Sequence, residues 1–489
     1  MWRIHRKIQV EWRIACLCAG LLVGVALAPV LRVNTFWGLA AIIPICTLLL
    51  VGRFYASLPL LLLAMLAGLG YGSTAYGEGY DVYKPFIEHT VTLQGRVKED
   101  PSVNSAGYKS LQLGSIQVRG SPYAGSVFTR MRTKVTVMRG DTVTVQGVAE
   151  AGFGSFSLNL KNASIVSVER QSMGDVGRVI RDWFAGHVRS FIDEPQASLG
   201  VGYLTGQKSA LPDDFSEALK IAGLTHVVVA SGYNLTVLVR LARKLFMRIS
   251  KFSAAMAAVG MVLMFMTITG LSPSMTRAGI VSGLSILFWY YGRKVHPIVL
   301  LLFVATLTVL YQPSYLWGDL GWQLSFSAFF GVMIIGPLMQ RYFYGEVSPG
   351  LIRQTLMETV AAHIATVPII ALQFGVVSNI AIVANLLVVP LVPLAMLLTF
   401  ICGIWSVCGI GFSQLIIWPT NVLLEYMVAV VRYVAEIKWA QSALEFSGSV
   451  WLLYLAAVLL VCWWMKRATK LNLRTGDILN PYKTDAKVI

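Results

Sequence analysis

Long apolar blocks fill this chain on both sides of one stretch, from about 77 to 172, that contains none. Three blocks come first, near 14–31, 35–52 and 55–76, and a second series runs from about 222 to 465. Apolar runs of roughly 18 residues or more need lipid around them, and there only a helix satisfies its own backbone. Composition agrees, with 56% of the 489 residues hydrophobic and 13% charged, about half the charged share of a soluble domain. A soluble enzyme, a disordered chain and a secreted disulfide scaffold are thereby excluded. The six cysteines (Cys16, Cys18, Cys46, Cys402, Cys408 and Cys462) all lie inside apolar blocks and read as small buried hydrophobes.

Forty basic against 24 acidic residues give a net charge of +16. Part of that is the positive-inside bias of a membrane protein. The rest points to anionic partners, either membrane lipid head groups or a polyanionic substrate. Arg3, Arg6, Lys7 and Arg13 precede or enter the first block, which reads as an uncleaved helix with a cytoplasmic N-terminus. Three spans in 1–76 then put residue 77 outside. The second series, 222–466, offers candidate spans at 222–240, 254–271, 277–292, 297–311, 322–340, 357–374, 379–408, 414–434 and 449–465, for about twelve spans in all. The block 379–408 is too long for one helix and holds Pro390 and Pro393, so a break is expected there. A basic tail, 467–489, marks a cytoplasmic C-terminus.

Between 77 and 172 the pattern changes to short alternating runs at 90–97, 111–118, 135–138, 142–148 and 156–168, separated by Gly, Pro, Ser and Asn. Five such strands predict a small antiparallel barrel or sandwich on the extracytoplasmic side. An OB-fold is one such barrel. Residues 101–140 hold no Asp or Glu but contain Arg119, Arg130, Arg132, Lys134 and Arg139. Arg130, Arg132 and Lys134 are spaced by two, so on a strand they share a face. That face is either a strip that tracks phosphates or a protected edge strand. The region 173–221 follows as linker and amphipathic helix. In 175–193, Val176, Val179, Ile180, Trp183 and Phe184 recur at helical spacing with Arg178, Arg181 and Arg189 between them, which predicts a helix lying in the membrane interface.

Catalytic signatures are not found. Gly202 to Ser209 imitates a phosphate loop, but Gln207 stands where Gly must precede Lys. No two of the six histidines fall within five residues of each other, so no metal-ligand spacing appears, and no serine-hydrolase elbow is present. Asp213 and Asp214 read as the start of a helix. Neither a catalytic residue, a metal nor a cofactor is expected.

The informative stretch is 219–236, an apolar segment carrying Gly223, Leu224, His226, Ser231, Gly232, Asn234 and Thr236. Polar groups inside lipid need partners in the bundle or a wet cavity. This segment resembles the signature of the ComEC family of competence DNA-uptake channels, Gly-Leu-x-His, a short apolar run, then Ser-Gly-x-His. Gly223, Leu224, His226, Ser231 and Gly232 match, and Asn234 replaces the second histidine, which keeps hydrogen bonding but loses titration. Three further stretches resemble family segments in order: Ser274 to Ala278 with Arg277, Asp319 to Phe326 with Gln323, and Ala384 to Pro390 with Asn385.

The resemblance implies a polytopic α-helical membrane protein of the cytoplasmic (inner) membrane with an inserted, extracytoplasmic OB-like barrel. It implies that the chain passes single-stranded DNA during natural transformation without being an enzyme. In that reading Arg119, Arg130, Arg132, Lys134 and Arg139 meet DNA on the barrel, and His226, Ser231, Gly232, Asn234, Arg277, Gln323 and Asn385 shape the translocation path. Asp319 or Glu358 is expected to pair with Arg277 or to cap a helix. Many family members also carry a metallo-β-lactamase-like domain, whose histidine motif is not in this sequence. The expected partners are therefore a separate nuclease, an external DNA receptor and a cytoplasmic helicase-like ATPase. Two other readings stay open: a secondary transporter of a small anion, and a membrane-embedded lipid or glycan enzyme.

Overall fold

The computed structural model describes residues 10–31, 57–103, 107–170, 175–207, 211–228, 231–270, 272–293, 295–345, 350–408, 414–444, 447–469 and 471. The expected span at 35–52, most of the basic N-terminal segment and most of the basic tail lie outside these residues.

Helices α1 (Val10–Leu31) and α2 (Ser57–Tyr80) pack together before the barrel. Gly20 and Gly24 on α1 and Gly68 and Gly72 on α2 sit four apart. A Cβ on Gly24 would lie 2.0 Å from the Met65 carbonyl oxygen, so the backbones touch where only glycine fits.

The barrel is formed by β1 (Thr90–Val97), β2 (Ser102–Val103), β3 (Lys109–Val118), β4 (Ser121–Tyr123), β5 (Val127–Met131), β6 (Thr142–Ala151) and β7 (Leu158–Glu169). Five strands close in the order β1-β6-β7-β5-β3-β1, with β5–β7 parallel and the other pairings antiparallel. That is an OB-like barrel. Alternate residues point inward, so Leu93, Leu111, Leu113, Ile116, Val127, Val143, Val145, Leu158 and Leu160 make its core, with Tyr83 plugging one end.

The expected strand at 135–138 does not form, and its backbone groups bond to side chains instead. Val135 N–H donates to Thr133 Oγ1 and Met138 N–H to Asp141 Oδ2, while Lys109 and Arg170 donate to the Val135 and Thr136 carbonyls. Of the five strands that close the barrel, β5 was missing from the sequence reading, and so were the short β2 and β4.

The second membrane region comprises α3 (Val176–Arg189), α4 (Gln196–Thr205), α5 (Asp213–Ile221), α6 (Thr225–Val228), α7 (Gly232–Phe246), α8 (Lys251–Thr269), α9 (Pro273–Tyr290), α10 (Pro297–Tyr311), α11 (Tyr315–Gly318), α12 (Leu320–Phe330), α13 (Gly336–Tyr344), α14 (Leu351–Phe374), α15 (Ala381–Val388), α16 (Val392–Cys408), α17 (Gln414–Ala435) and α18 (Gly448–Thr469). Among the described residues seven helices are long and apolar enough to cross a membrane, and α10 is a shorter apolar helix. The block 379–408 is α15, a 3₁₀ turn around Pro390, and α16, and a short strand, β8 (Val376–Ser378), precedes it. β8 pairs with β9 (Gln441–Ala443).

The expected span 222–240 is not one helix. α5 ends before Gly223, which has φ +70°. A four-residue helix follows, and Ser231 then caps α7 from an extended conformation. The polar and glycine residues that mark the segment are what interrupt it.

α3 turns its apolar residues outward, with Val176, Val179, Ile180 and Trp183 exposed, and its arginines inward, with Arg178 and Arg181 buried. The helix thus presents an apolar side away from the protein and a cationic side toward it. Arg181 pairs with Asp100 of the barrel and with Asp182. Elsewhere the barrel's Gly154 rests on Gly318, and Gln312 donates to the Ser155 carbonyl at 3.4 Å.

Candidate functional site

A groove of about 570 Å³ crosses the barrel face where β5 meets β7. Phe128 of β5 and Phe153 and Phe156 of the β6–β7 turn form one aromatic cluster, with ring centroids 5.2–5.5 Å apart. Phe153 is half exposed. Arg130, Arg132 and Lys161 stand on the same groove, and the Arg132 guanidinium lies 5.6 Å over the Tyr108 ring. Lys161 also pairs with Glu150 at 3.1 Å. Exposed aromatic faces beside cations can stack bases and hold phosphates at once.

Not every cation of the acid-free run takes part. Arg130, Arg132 and Lys134 are exposed, but β5 ends at Met131, so only Arg130 lies on the strand. Arg119 is exposed on the β3–β4 turn. Arg139 is a correction, because it is 5% exposed and committed inside the protein. Its Nε lies 2.6 Å from Asp175 Oδ2, and its Nη1 donates to the Ile268 carbonyl at 3.2 Å, at the C-terminus of α8. A cation is favoured there by the unsatisfied carbonyls and the helix dipole. Burial raises the Asp175 carboxyl. Hydrogen bonds from Arg139 and the Arg178 N–H, with the charges of Arg139 and Arg178, outweigh it and hold the group below the usual carboxylate range. The same balance holds Asp141 low, where burial is overcome by Arg170, the Met138 N–H and Arg178.

In the bundle, Asn234 is fully buried. Its Nδ2 donates to the Tyr203 carbonyl at 3.1 Å, and Ser231 Oγ donates to its Oδ1 at 3.2 Å. Asn234 is thus a lock between α4 and α7 and does not face open space. Tyr233, beside it, is exposed, and so is His226. Gly232 packs on Ala278 of α9, where a Cβ would come to 3.4 Å.

Arg277 is 3% exposed and donates to the Gly321 carbonyl at 2.6 Å, while its Nε and Nη1 have no acceptor. Asp319 caps α12 by accepting from the Trp322 N–H, and Glu358 accepts from Gln354 at 2.8 Å. Gln323 donates to the Leu316 and Trp317 carbonyls. Asn385 is buried, bonded to the Ala381 carbonyl of its own helix. Among the described residues no three His, Cys, Asp or Glu side chains gather to hold a metal ion.

A family model described as "Competence protein" matches residues 203–469, more than half of the chain. This chain belongs to the Competence protein family. One relative, "ComE operon protein 3" of Bacillus subtilis (strain 168), is 22% identical over 258 residues, covering 51% of this chain and 32% of the relative. The match thus spans about a third of that protein's length. No solved structure matches.

The Competence match opens at Tyr203, the residue whose carbonyl receives Asn234. It takes in the broken segment, Arg277, Gln323 and Asn385, and leaves the barrel outside. Phe128, Phe153, Tyr108 and Lys161 were missed by sequence reasoning. They lie on separate strands and turns, and only the barrel's closure brings them together.

Proposed function

We propose that this protein passes single-stranded DNA across the cytoplasmic membrane during competence, as a conduit rather than a catalyst. The observation that carries the reading is the barrel groove, where Phe128, Phe153 and Tyr108 share one face with Arg130, Arg132 and Lys161. A small anion needs no row of stacking rings, and a duplex hides the base faces that such rings would meet. The family match and the printed name of the B. subtilis relative support the competence assignment.

The strand continues past His226, Tyr233 and the Ser231–Gly232 turn, with Asn234 and Arg277 holding the walls in place. The barrel faces outward and both chain ends lie in the cytoplasm. Supporting this orientation, Arg139 reaches the C-terminal end of α8, while Arg243, Lys244, Arg248 and Lys251 collect at its other end, and basic residues favour the cytoplasmic side. An inside-negative potential opposes anion entry by about 2.3 kcal/mol per charge per 100 mV. A helicase-like ATPase inside, an external DNA receptor and a separate nuclease complete the process.

The test is a titration of the full chain in nanodiscs with single-stranded and duplex DNA over a salt series. Phe128→Ala with Phe153→Ala should weaken single-strand binding by about 1–3 kcal/mol per stacked base lost. Arg130→Ala with Arg132→Ala should flatten the salt dependence by roughly 0.7 in log–log slope per phosphate contact. Equal affinity in both variants, or equal binding of duplex and single strand, refutes the groove as the DNA site.

A further inference from the structure

Residues 218–318 contain no Asp or Glu, and four cations of this stretch gather at the turn between α7 and α8. The α7–α8 turn carries Arg243, Lys244, Arg248 and Lys251. α9 brings its C-terminal aromatics to the same turn. The Arg243 guanidinium lies 3.8 Å over the Trp289 ring, and Lys251 Nζ lies 5.7 Å from Trp289 and 5.6 Å from Tyr290. Arg243 Nε is buried and has no acceptor. Between these cations the turn exposes large apolar side chains: Phe246 at 41%, Met247 at 50%, Ile249 at 73% and Phe252 at 62%.

We propose that this turn is a binding site for an anionic phospholipid of the leaflet opposite the barrel. The exposed apolar residues decide between possible anions. A phosphate strand in water would leave Met247, Ile249 and Phe252 uncovered, whereas a lipid covers them with acyl chains while its headgroup meets the exposed Arg248 and Lys251, beside the Arg243 guanidinium. Trp289 and Tyr290 sit at the depth where amphipathic rings are favoured, at the boundary of headgroup and chain. The turn carries no carboxylate of its own to repel the headgroup. The site therefore combines a cationic rim with an apolar floor. It is independent of the DNA-conduction reading.

The experiment is native mass spectrometry of the full chain released from micelles holding equal phosphatidylglycerol and phosphatidylcholine. The wild type should retain phosphatidylglycerol preferentially, and Arg243→Gln/Arg248→Gln/Lys251→Gln should lose that preference by about fivefold per cation removed, with phosphatidylcholine retention unchanged. If the triple variant does not fold, the exposed single changes Arg248→Gln and Lys251→Gln each carry the test, with the same expected drop. Inorganic phosphate in excess should leave the lipid bound. Equal preference in wild type and variants, or displacement by phosphate, overturns the proposal. A single-stranded oligonucleotide that displaces the lipid from wild type, and binds the variant less well, overturns it in favour of a nucleic-acid exit site.

Discussion

Arg139 Nε and Asp175 Oδ2, 2.6 Å apart, join the barrel to the helix that follows it, and the same guanidinium reaches the last carbonyls of α8. The side chains are 6% and 18% exposed, so neither charge has much water to fall back on.

Removing Arg139 should therefore separate the units rather than weaken DNA binding directly. Arg139→Ala leaves Asp175 partly buried with only the Arg178 N–H and charge beside it, at a cost of up to about 3–5 kcal/mol. Hydrogen exchange should rise at 267–270 and at the start of α3, with the barrel strands unchanged. Unchanged exchange at 267–270 would show that the contact does not hold the units together.

The same carboxylates set an acid limit. Asp175 and Asp141 are both held below the usual carboxylate range. Their contribution is complete above the unfolded value of about 3.9 and is lost as pH falls through the lower folded value. Denaturation midpoints measured from pH 7 downward should stay level until about pH 5 and then fall. Asp175→Asn should start lower and show a shallower acid slope, and an unaltered slope would assign the acid loss elsewhere.

Asn234→Ala removes the donor to the buried Tyr203 carbonyl. An unsatisfied buried carbonyl costs about 1–3 kcal/mol, so the melting temperature of the full chain in detergent should fall. Asn234→Asp, which can still accept from Ser231 but cannot donate to Tyr203, should fall at least as far. A stable Asn234→Asp variant would remove the locking role.

Gly232→Leu should force α7 away from Ala278, since even a Cβ already lies at contact distance. Overpacking of this kind costs about 1–3 kcal/mol. The expected result is normal membrane abundance with loss of labelled DNA entry. Normal transformation would separate the α7–α9 crossing from conduction.

What the sequence made legible depended on how local the signal was. The lipid-embedded blocks, β1, β6, β7 and the amphipathic α3 follow from periodicity within single segments. The mark left by Gly223, Ser231 and Gly232 was also visible, although it proved to break the span at 222–240 rather than furnish it. Arg139 was misread because its environment comes from Asp175, 36 positions later, and from carbonyls at 267 and 268. Asn234 was expected to shape the translocation path, but its partner, a backbone oxygen 31 positions earlier, was not legible. The aromatic groove escaped altogether, since β5 and β7 are parallel neighbours that no short window brings together.

α8 has Arg139 at one end and the cationic turn at the other. Its 19 residues measure about 28 Å, close to the roughly 30 Å of a hydrocarbon core. In the proposed orientation it is a strut of fixed length that ties the height of the barrel to the leaflet on the other side. Shorter acyl chains should then tilt the strut, whereas longer ones should leave it too short and draw the barrel toward the headgroups.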